Sequence, residues 1–287
     1  MILTALVSVS WAVIDPKCAG LPKPADYDEQ VQQDFLQNYF ALSTTLSAIH
    51  APVPHEPGHG AIGVELNVLP PLGCDKRFVL EWTKTEDTNI SPVAPRLRAT
   101  FAFPEIADGI IPYAGLVYLP PVTLFGTRNV FAGGEAGLSW RKGETGPQAG
   151  ARFHAVMQKT VADVASGFTD SDPVVLDLYL ASTFGLDLSA GWDVGPVTPY
   201  VSVGLLDAST FFYVGDTNVV SNNLHPYFGP TFSAGVDGLV AERFRWGGEF
   251  YGAPGGYSSP DETADNVDKG ARYGHLYTAR VRLGIEL

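Results

Sequence analysis

The chain ends on the stretch TARVRLGIEL, residues 278–287, in which polar and apolar residues alternate. Successive side chains of a β-strand point to opposite faces, so Arg280 and Arg282 fall on one side of an extended chain. Val281 and Leu283 fall on the other side. A strand of this kind has one charged face and one aliphatic face, and the fold depends on which of the two is inside.

Composition favours a fold built from strands and turns. Hydrophobic residues make up 45% of the chain, yet the mean hydropathy is only +0.07, so apolar and polar residues are interleaved. Charged residues make up 17%, below the roughly 25% that is usual in soluble domains. The net charge of -13 argues against binding to nucleic acid, which requires Lys and Arg facing the phosphates. The 31 glycines and 22 prolines indicate many turns.

Residues 1–12, MILTALVSVSWA, are expected to be a signal peptide for export. A polar segment follows over residues 13–38, which we predict to lie in the periplasm. It contains one short amphipathic helix near residues 26–38, where apolar side chains recur at helical spacing. We assign residues 39–287 to a barrel.

From residue 39 onwards the hydrophobic period is two, which predicts about twelve strands. Short and long connections alternate between them. An up-and-down antiparallel barrel with short turns at one end and long loops at the other has this alternation. It places both termini at the short-turn end. The predicted strands lie near 39-50, 58-70, 76-85, 95-104, 111-119, 130-141, 148-158, 174-194, 198-207, 225-236, 242-252 and 272-287.

The alternation separates an apolar face without charge from a face that carries many charges. Unpaired buried charges are too costly for the dry core of a soluble sandwich. Two architectures remain, a soluble barrel with the apolar face inside or a membrane barrel with the charged face lining a lumen. The predicted lumen residues are Glu65, Arg77, Glu81, Arg96, Arg98, Glu135, Arg141, Arg152, His154, Asp187, Arg245, Glu249, Arg280 and Arg282.

Three observations favour the membrane barrel. Ten residues at about 3.3 Å each, tilted by roughly 40°, rise about 25 Å, which matches the apolar band of such barrels. Arginine, rather than lysine, dominates the charged face, and its planar fork suits a crowded lumen. Four outward aromatic residues fall at one level near the short-turn end and predict an interfacial girdle. They are Phe103, Trp140, Trp192 and Trp246.

The chain resembles the outer-membrane β-barrel proteins of Gram-negative bacteria, in the broad porin-like sense, over residues 39–287. The closing strand HLYTARVRLGIEL is similar to the C-terminal signal that the barrel-assembly machinery of these proteins recognises. Members typically end in Phe or Trp, whereas this chain ends in Leu287. The resemblance implies a location in the bacterial outer membrane, with lipid and lipopolysaccharide as partners and a further envelope partner as an open alternative.

Two cysteines, Cys18 and Cys74, predict one disulfide in an exported protein. The alternatives are two free thiols, or cleavage of the signal after Ala19, which would remove Cys18. The predicted topology places Cys74 in the first short turn, at the same end as the N-terminal segment.

The stretch HAPVPHEPGHG brings His50, His55, Glu56 and His59 close together in sequence, which raises the question of a metal site. A zinc site requires three or four converging ligands. The intervening prolines stiffen the chain and would hold the imidazoles apart, so we predict no metal and no cofactor. We also expect no enzymatic activity, because no outward histidine is available for a lipid-facing catalytic pair.

The leading hypothesis is a narrow passive channel for small polar solutes. In it the lumen arginines and carboxylates would form the constriction. The alternative is a structural barrel whose lumen is salt-bridged or plugged, acting as an envelope anchor or a platform for a partner.

Overall fold

The computed structural model describes residues 14–86, 88–143, 145–162, 176–214, 219–222, 226–241, 243–255 and 275–287. The predicted signal peptide lies outside the described residues. No helix in the described part of the chain is both long and apolar enough to cross a bilayer.

The single α-helix within these ranges, α1, spans Glu29–Thr44. Its N-terminus is capped by Asp28, whose carboxylate accepts hydrogen bonds from the backbone N–H groups of Gln30 and Val31. The helix predicted near residues 26–38 is therefore confirmed. It continues to Thr44, through residues that were predicted to begin the first strand.

The described strands are numbered in chain order. They are β1 Gly60–Val68, β2 Phe78–Val79, β3 Lys84–Thr85, β4 Val93–Ala102, β5 Ile110–Leu124, β6 Thr127–Arg141, β7 Gly146–Ala162, β8 Asp177–Asp193, β9 Val197–Val214, β10 Val219–Asn222, β11 Tyr227–Val240, β12 Phe244–Ala253 and β13 Leu276–Glu286.

Ten of these strands form a closed antiparallel barrel in which β13 pairs with β1 and β8 pairs with β9. The short β10 extends the hairpin from β9, and β2 and β3 form a separate two-stranded sheet. We call the end at which β13 finishes the short-turn end. The opposite end, where β1 finishes and the connection 69–92 begins, is the loop end.

Two of the predicted strands are not part of the barrel. Residues 76–85 reverse direction because Leu80, Glu81 and Trp82 have positive φ values of 51°, 59° and 71°. Residues 39–50 begin as the end of α1 and continue as an irregular chain inside the barrel. The predicted strands 111-119 and 130-141 leave residues 120–129 as a long connection, and this prediction is also wrong. β5 and β6 meet in the two-residue turn of Phe125 and Gly126, both with positive φ.

For most side chains of the ten barrel strands, the structure has the predicted partition between the two faces. Leucine, valine and phenylalanine side chains of the wall are exposed on the outside, among them Leu116, Leu186 and Val203. The sequence leaves the phase of β5 open because both of its faces are apolar. The structure places Leu116 and Tyr118 outside, and Val117 and Leu119 inside.

Candidate functional site in the barrel lumen

The lumen is occupied by the chain itself. Residues 45–59, which we call the lumen segment, lead from the end of α1 at the loop end to the start of β1 at the short-turn end. At the loop end, the amide of Asn67 on β1 donates to the carbonyl of Ser43. At the short-turn end, the Gly58 N–H donates to the Ala102 carbonyl at 2.9 Å. The barrel therefore encloses a stretch of irregular backbone that belongs to none of its ladders.

Wall arginines bind the backbone carbonyls at the start of this path. Pairing in a sheet would normally satisfy these carbonyls, and a buried carbonyl without a partner is costly. Here guanidinium groups replace the sheet partner, with N–O distances of 2.8 to 3.3 Å. Arg96 donates to Thr44 and Thr45, Arg280 to Thr45, Arg152 to Leu46, and Arg98 to Ser47.

Wall acceptors bind the N–H groups further along the lumen segment. Glu249 accepts from the Ile49 N–H at 3.1 Å, and Asp237 accepts from the Ala51 N–H at 3.2 Å. Beyond them, Gln148 accepts from Val53 and Ser139 donates to the Pro52 carbonyl. The donors and acceptors of the wall thus follow those of the enclosed backbone along most of its length.

A chain of alternating charges runs around one side of the lumen. Arg98 contacts Glu65 at 3.1 Å and Glu135 at 2.6 Å. Arg152 contacts Glu135 at 2.9 Å and pairs with Asp187 on the neighbouring strand. All five side chains are buried, and Arg98 is only 2% exposed. Each charge therefore has opposite charges beside it, as a buried charge requires. The same chain includes Arg96, paired with Glu65, and His154, whose Nε2 lies 3.3 Å from Asp187.

Glycine positions allow this network to cross strands. Glu135 on β6 reaches Arg98 on β4 across β5, at the level of Gly115. A Cβ at Gly115 would lie 2.6 Å from the Glu135 carboxylate, so a larger residue would push that carboxylate away. Gly204 has the same relation to Asp187, whose Oδ1 would lie 2.0 Å from an added Cβ.

A second ionic cluster lies at the short-turn end. Asp237 contacts Arg245 at 2.8 Å and Arg282 at 3.2 Å. Arg245 also contacts Glu286 at 2.8 Å, and Glu286 contacts Nδ1 of His55 at 3.0 Å. His55 thereby anchors the lower part of the lumen segment to β13.

Arg280 is the most unusual of the lumen arginines. It is fully buried, and its guanidinium lies 4.1 Å from the centre of the Tyr251 ring, in a cation–π contact. Its ion pairing differs from that of Arg98, because no carboxylate of the described residues lies within salt-bridge distance of it. Its bond to the Thr45 carbonyl is therefore a principal polar contact of this side chain.

Two predicted lumen residues lie elsewhere. Arg77 and Glu81 belong to the connection 69–92 at the loop end, because the chain reverses there instead of forming a barrel strand. Arg77 contacts Asp15 at 2.8 Å, and exposed Glu81 pairs with Lys23.

Another predicted lumen residue, Arg141, marks the end of β6 at the short-turn end. It contacts Glu56 with N–O distances of 2.5 and 2.6 Å, so it holds the lumen segment at its exit.

The histidines and Glu56 of the HAPVPHEPGHG stretch do not converge. The His50 ring packs edge-on against Tyr113, with its Nε2 3.7 Å from Glu135, whereas His55 bonds to Glu286 and Thr100. Within the described residues, no group of three ligand side chains could hold a metal ion.

The predicted aromatic residues do lie at the short-turn end. Trp140 and Trp192 are each the last residue but one of their strands, and both are exposed on the outside. Phe103 directly follows β4, and Trp246 is the third residue of β12.

The outer face also carries a charge, although the alternation in the sequence predicts an apolar face without charge. Asp207 on β9 points outwards between Phe184 and Phe228, its cross-strand neighbours.

Cys18 and Cys74 form a disulfide, as predicted. Its position differs from the prediction, because the connection that carries Cys74 lies at the loop end, opposite the C-terminus. Residues 14–44 therefore lie at the loop end and not at the short-turn end.

Two carboxylates at the ends of the barrel have shifted pKa values. At the loop end, the hydrogen bond from Arg77 lowers the pKa of Asp15 below its usual value. At the other end, the hydrogen bond from Arg141 lowers the pKa of Glu56.

No family model and no curated protein matches the chain. Solved structures with a detectable likeness include the toluene transporter TbuX of Ralstonia pickettii, with 9% identity, a TM-score of 0.34, and coverage of 88% of this chain and 77% of that one. The translocator domain of the autotransporter NalP from Neisseria meningitidis has 10% identity and a TM-score of 0.37, covering 82% of this chain and 90% of that one. A deltaS2 mutant of the TodX monoaromatic hydrocarbon channel has 11% identity and a TM-score of 0.33, covering 84% and 71%. At these identities the function of none of them transfers to this chain.

Proposed function

We propose that the chain is a β-barrel of the bacterial outer membrane whose lumen is closed at rest by its own lumen segment, residues 45–59. In this state it serves as an envelope anchor that holds α1 and the disulfide-linked residues before it at the loop end. The observation that carries the proposal is the set of hydrogen bonds from wall arginines to four consecutive carbonyls, those of residues 44–47.

The membrane part of the proposal rests on the outer face. A band of exposed leucine, valine and phenylalanine surrounds the barrel, and monomeric soluble proteins rarely expose apolar patches of more than a few hundred Å². Closure of the sheet removes the free strand edges that lipid would leave without hydrogen-bond partners. Lipid and lipopolysaccharide would then be its surroundings, and the barrel-assembly machinery would meet the closing strand.

The closed-lumen part rests on how the charges are used. Side chains at an aqueous constriction keep their charged ends in water, whereas Arg96, Arg98 and Arg152 are buried against carboxylates and the lumen segment. The charged wall therefore supports a structural barrel with a salt-bridged or plugged lumen, which is the alternative considered from the sequence.

A passive channel for small polar solutes is the second candidate. It is favoured by the polar character of the contacts that hold the lumen segment, whose backbone is bound by side chains and not by a sheet ladder. Withdrawal of the segment would leave a lumen lined by arginines and carboxylates, suited to hydrated solutes.

Conductance in planar bilayers separates the two candidates. We expect the full chain to be silent, and a variant that lacks residues 14–56 to give ohmic steps. A matched variant lacking only residues 14–27 keeps the lumen segment and should stay silent; both deletions carry Cys74→Ser so that neither has a free thiol. Steps from the full chain that change with Arg96→Ala would support the channel instead. Equal conductance of the full chain and of the variant lacking residues 14–56 would refute the closed lumen.

A further inference from the structure

A partly open cavity of about 90 Å³ lies at the loop end, beside the last turn of α1. Phe40 of the helix forms one side of it, and Leu119 and Phe131 of the wall form another. Among the described residues, the rest of its lining is apolar or neutral and polar and carries no charged side chain. The lumen segment begins at the same place, because Thr44, which also lines the cavity, is the last residue of α1.

The cavity lies at a break in the barrel wall. The ladder between β4 and β5 joins Leu97–Ala102 to Tyr113–Tyr118 and stops there, although both strands continue towards the loop end. Pro120 and Pro121 explain the break, because they have no N–H groups to donate and lie where the β5 register shifts. Val93, Ala94 and Pro95 of β4, which pair with β1 but not with β5, line the cavity.

One residue that lines the cavity, Gln158, carries a hydrogen-bond acceptor without a donor among the described residues. Gln158 is only 8% exposed, and its side-chain Oε1 accepts no hydrogen bond from the described residues. The Thr88 hydroxyl, which also lines the cavity, has no partner among them either. Buried polar atoms without partners are rare in native proteins, so each calls for an explanation.

The direction of a hydrogen-bond chain identifies the free atom of Gln158 as the oxygen. The Leu124 carbonyl can only accept, so the Thr127 hydroxyl donates to it, at 2.8 Å, and accepts from the Asn129 amide nitrogen. The Asn129 oxygen then accepts from Thr160, which accepts from the Gln158 nitrogen at 2.6 Å. The Gln158 oxygen is left as the acceptor at the cavity.

We propose that this cavity binds a small neutral molecule with an apolar body and one hydroxyl group, of the kind represented by phenol. The hydroxyl donates to Gln158 Oε1, and the body packs against Phe40, Leu119 and Phe131. The volume of about 90 Å³ is smaller than that of the apolar cavity of roughly 150 Å³ that holds benzene, so a single ring or a short chain would extend in part through the open side. We expect an anion not to bind, because the described lining residues offer no compensating charge.

Fluorine NMR of the full chain in detergent tests the proposal, with 4-fluorophenol, fluorobenzene and 4-fluorobenzoate as probes. We expect saturable binding of 4-fluorophenol, about tenfold weaker binding of fluorobenzene, and none of 4-fluorobenzoate. In Gln158→Leu the preference for the phenol should disappear, because a hydrogen bond of ordinary strength accounts for a factor of about ten. Ala94→Phe should fill the cavity and abolish saturable binding.

Thr183→Val is the matched control, because the Thr183 hydroxyl is also buried and unpartnered but lies outside the cavity. It should bind 4-fluorophenol as the unmodified chain does. A linear, non-saturating response of the unmodified chain would indicate partition into detergent alone and would overturn the proposal. So would unchanged binding in Ala94→Phe, or soaked crystals in which the cavity holds only water. If Gln158→Leu does not fold, equal affinities of the unmodified chain for 4-fluorophenol and fluorobenzene would equally overturn it.

Discussion

Replacing Leu186 by arginine tests whether the outer face of the barrel meets lipid. Leu186 is 62% exposed on β8 and lies six residues from Trp192, which is near the short-turn end. Six residues at about 3.3 Å, tilted by roughly 40°, rise about 15 Å. If the aromatic residues lie at one interface of an apolar band about 25 Å tall, Leu186 is close to its middle.

The expected cost differs sharply between lipid and water. Arginine on the lipid face near the midplane costs about 2–4 kcal/mol, whereas substitutions at exposed sites in water usually change stability by about 0.5 kcal/mol or less. Leu176 is the matched control, because it is also 62% exposed but precedes β8 at the loop end. At that height arginine should cost about 0–1 kcal/mol.

Reversible unfolding by guanidinium from lipid vesicles, followed by tryptophan fluorescence, gives the two free energies. We expect Leu186→Arg to lower the unfolding free energy by about 2.5 kcal/mol more than Leu176→Arg does. This difference is equivalent to a factor of about 70 in the folding equilibrium. Equal effects of both substitutions, each about 0.5 kcal/mol or less, would show that the outer face is in water and would refute the membrane assignment.

Three further outcomes are expected. Glu135→Gln removes a carboxylate that two buried arginines contact and should lower the unfolding free energy by about 3–5 kcal/mol. Glu56→Gln, at the exposed short-turn end, should lower it by about 1 kcal/mol or less. Guanidinium unfolding measures both free energies. Replacing Cys18 and Cys74 by serine opens a loop of sequence separation 56, which should cost about 4 kcal/mol of local stability and speed tryptic cleavage at the loop end, while the barrel strands keep their hydrogen-exchange protection. The pair of Glu56 with Arg141 lowers the Glu56 pKa, so its contribution is present above the ordinary carboxyl pKa and is lost as pH falls below it. Hydrogen exchange at residues 55–59 should therefore accelerate in acid, and Glu56→Gln should remove most of that dependence.

The alternation of side chains made the barrel wall predictable. In a closed sheet each strand has one outer and one inner face, so a period of two sorts the side chains into two sets without knowledge of the partner strands. The placement of Arg98, Arg152 and Arg280 on one common face follows from this rule, and the cost of burying charge then assigns that face to the inside of a membrane barrel. It does not depend on the strand count, which is why it holds although ten strands, and not about twelve, form the barrel.

The content of the lumen was not predictable in the same way. Residues 39–44 end α1 and residues 45–50 run inside the barrel, but the apolar residues spaced along this stretch look like part of a wall strand in the sequence. The prolines at 52, 54 and 57 carry the one sequence signal, because each lacks the N–H that a ladder requires. In the sequence, these prolines indicate only a stiff loop. The turn at Leu80–Trp82 was missed because it has no glycine or proline to mark it.

The charged side of the closing strand has a purpose that alternation alone does not reveal. Arg280 binds the Thr45 carbonyl and Arg282 binds Asp237, which in turn accepts from the N–H of Ala51. Side chains of the wall thus do for the enclosed backbone what a neighbouring strand would do. If the lumen segment left, these guanidinium groups would lose protein partners and would have to be hydrated, because a buried charge without partners is too costly. An empty lumen would therefore fill with water. In the closed state the arginines bind the lumen segment, and in a conducting state they would bind water instead.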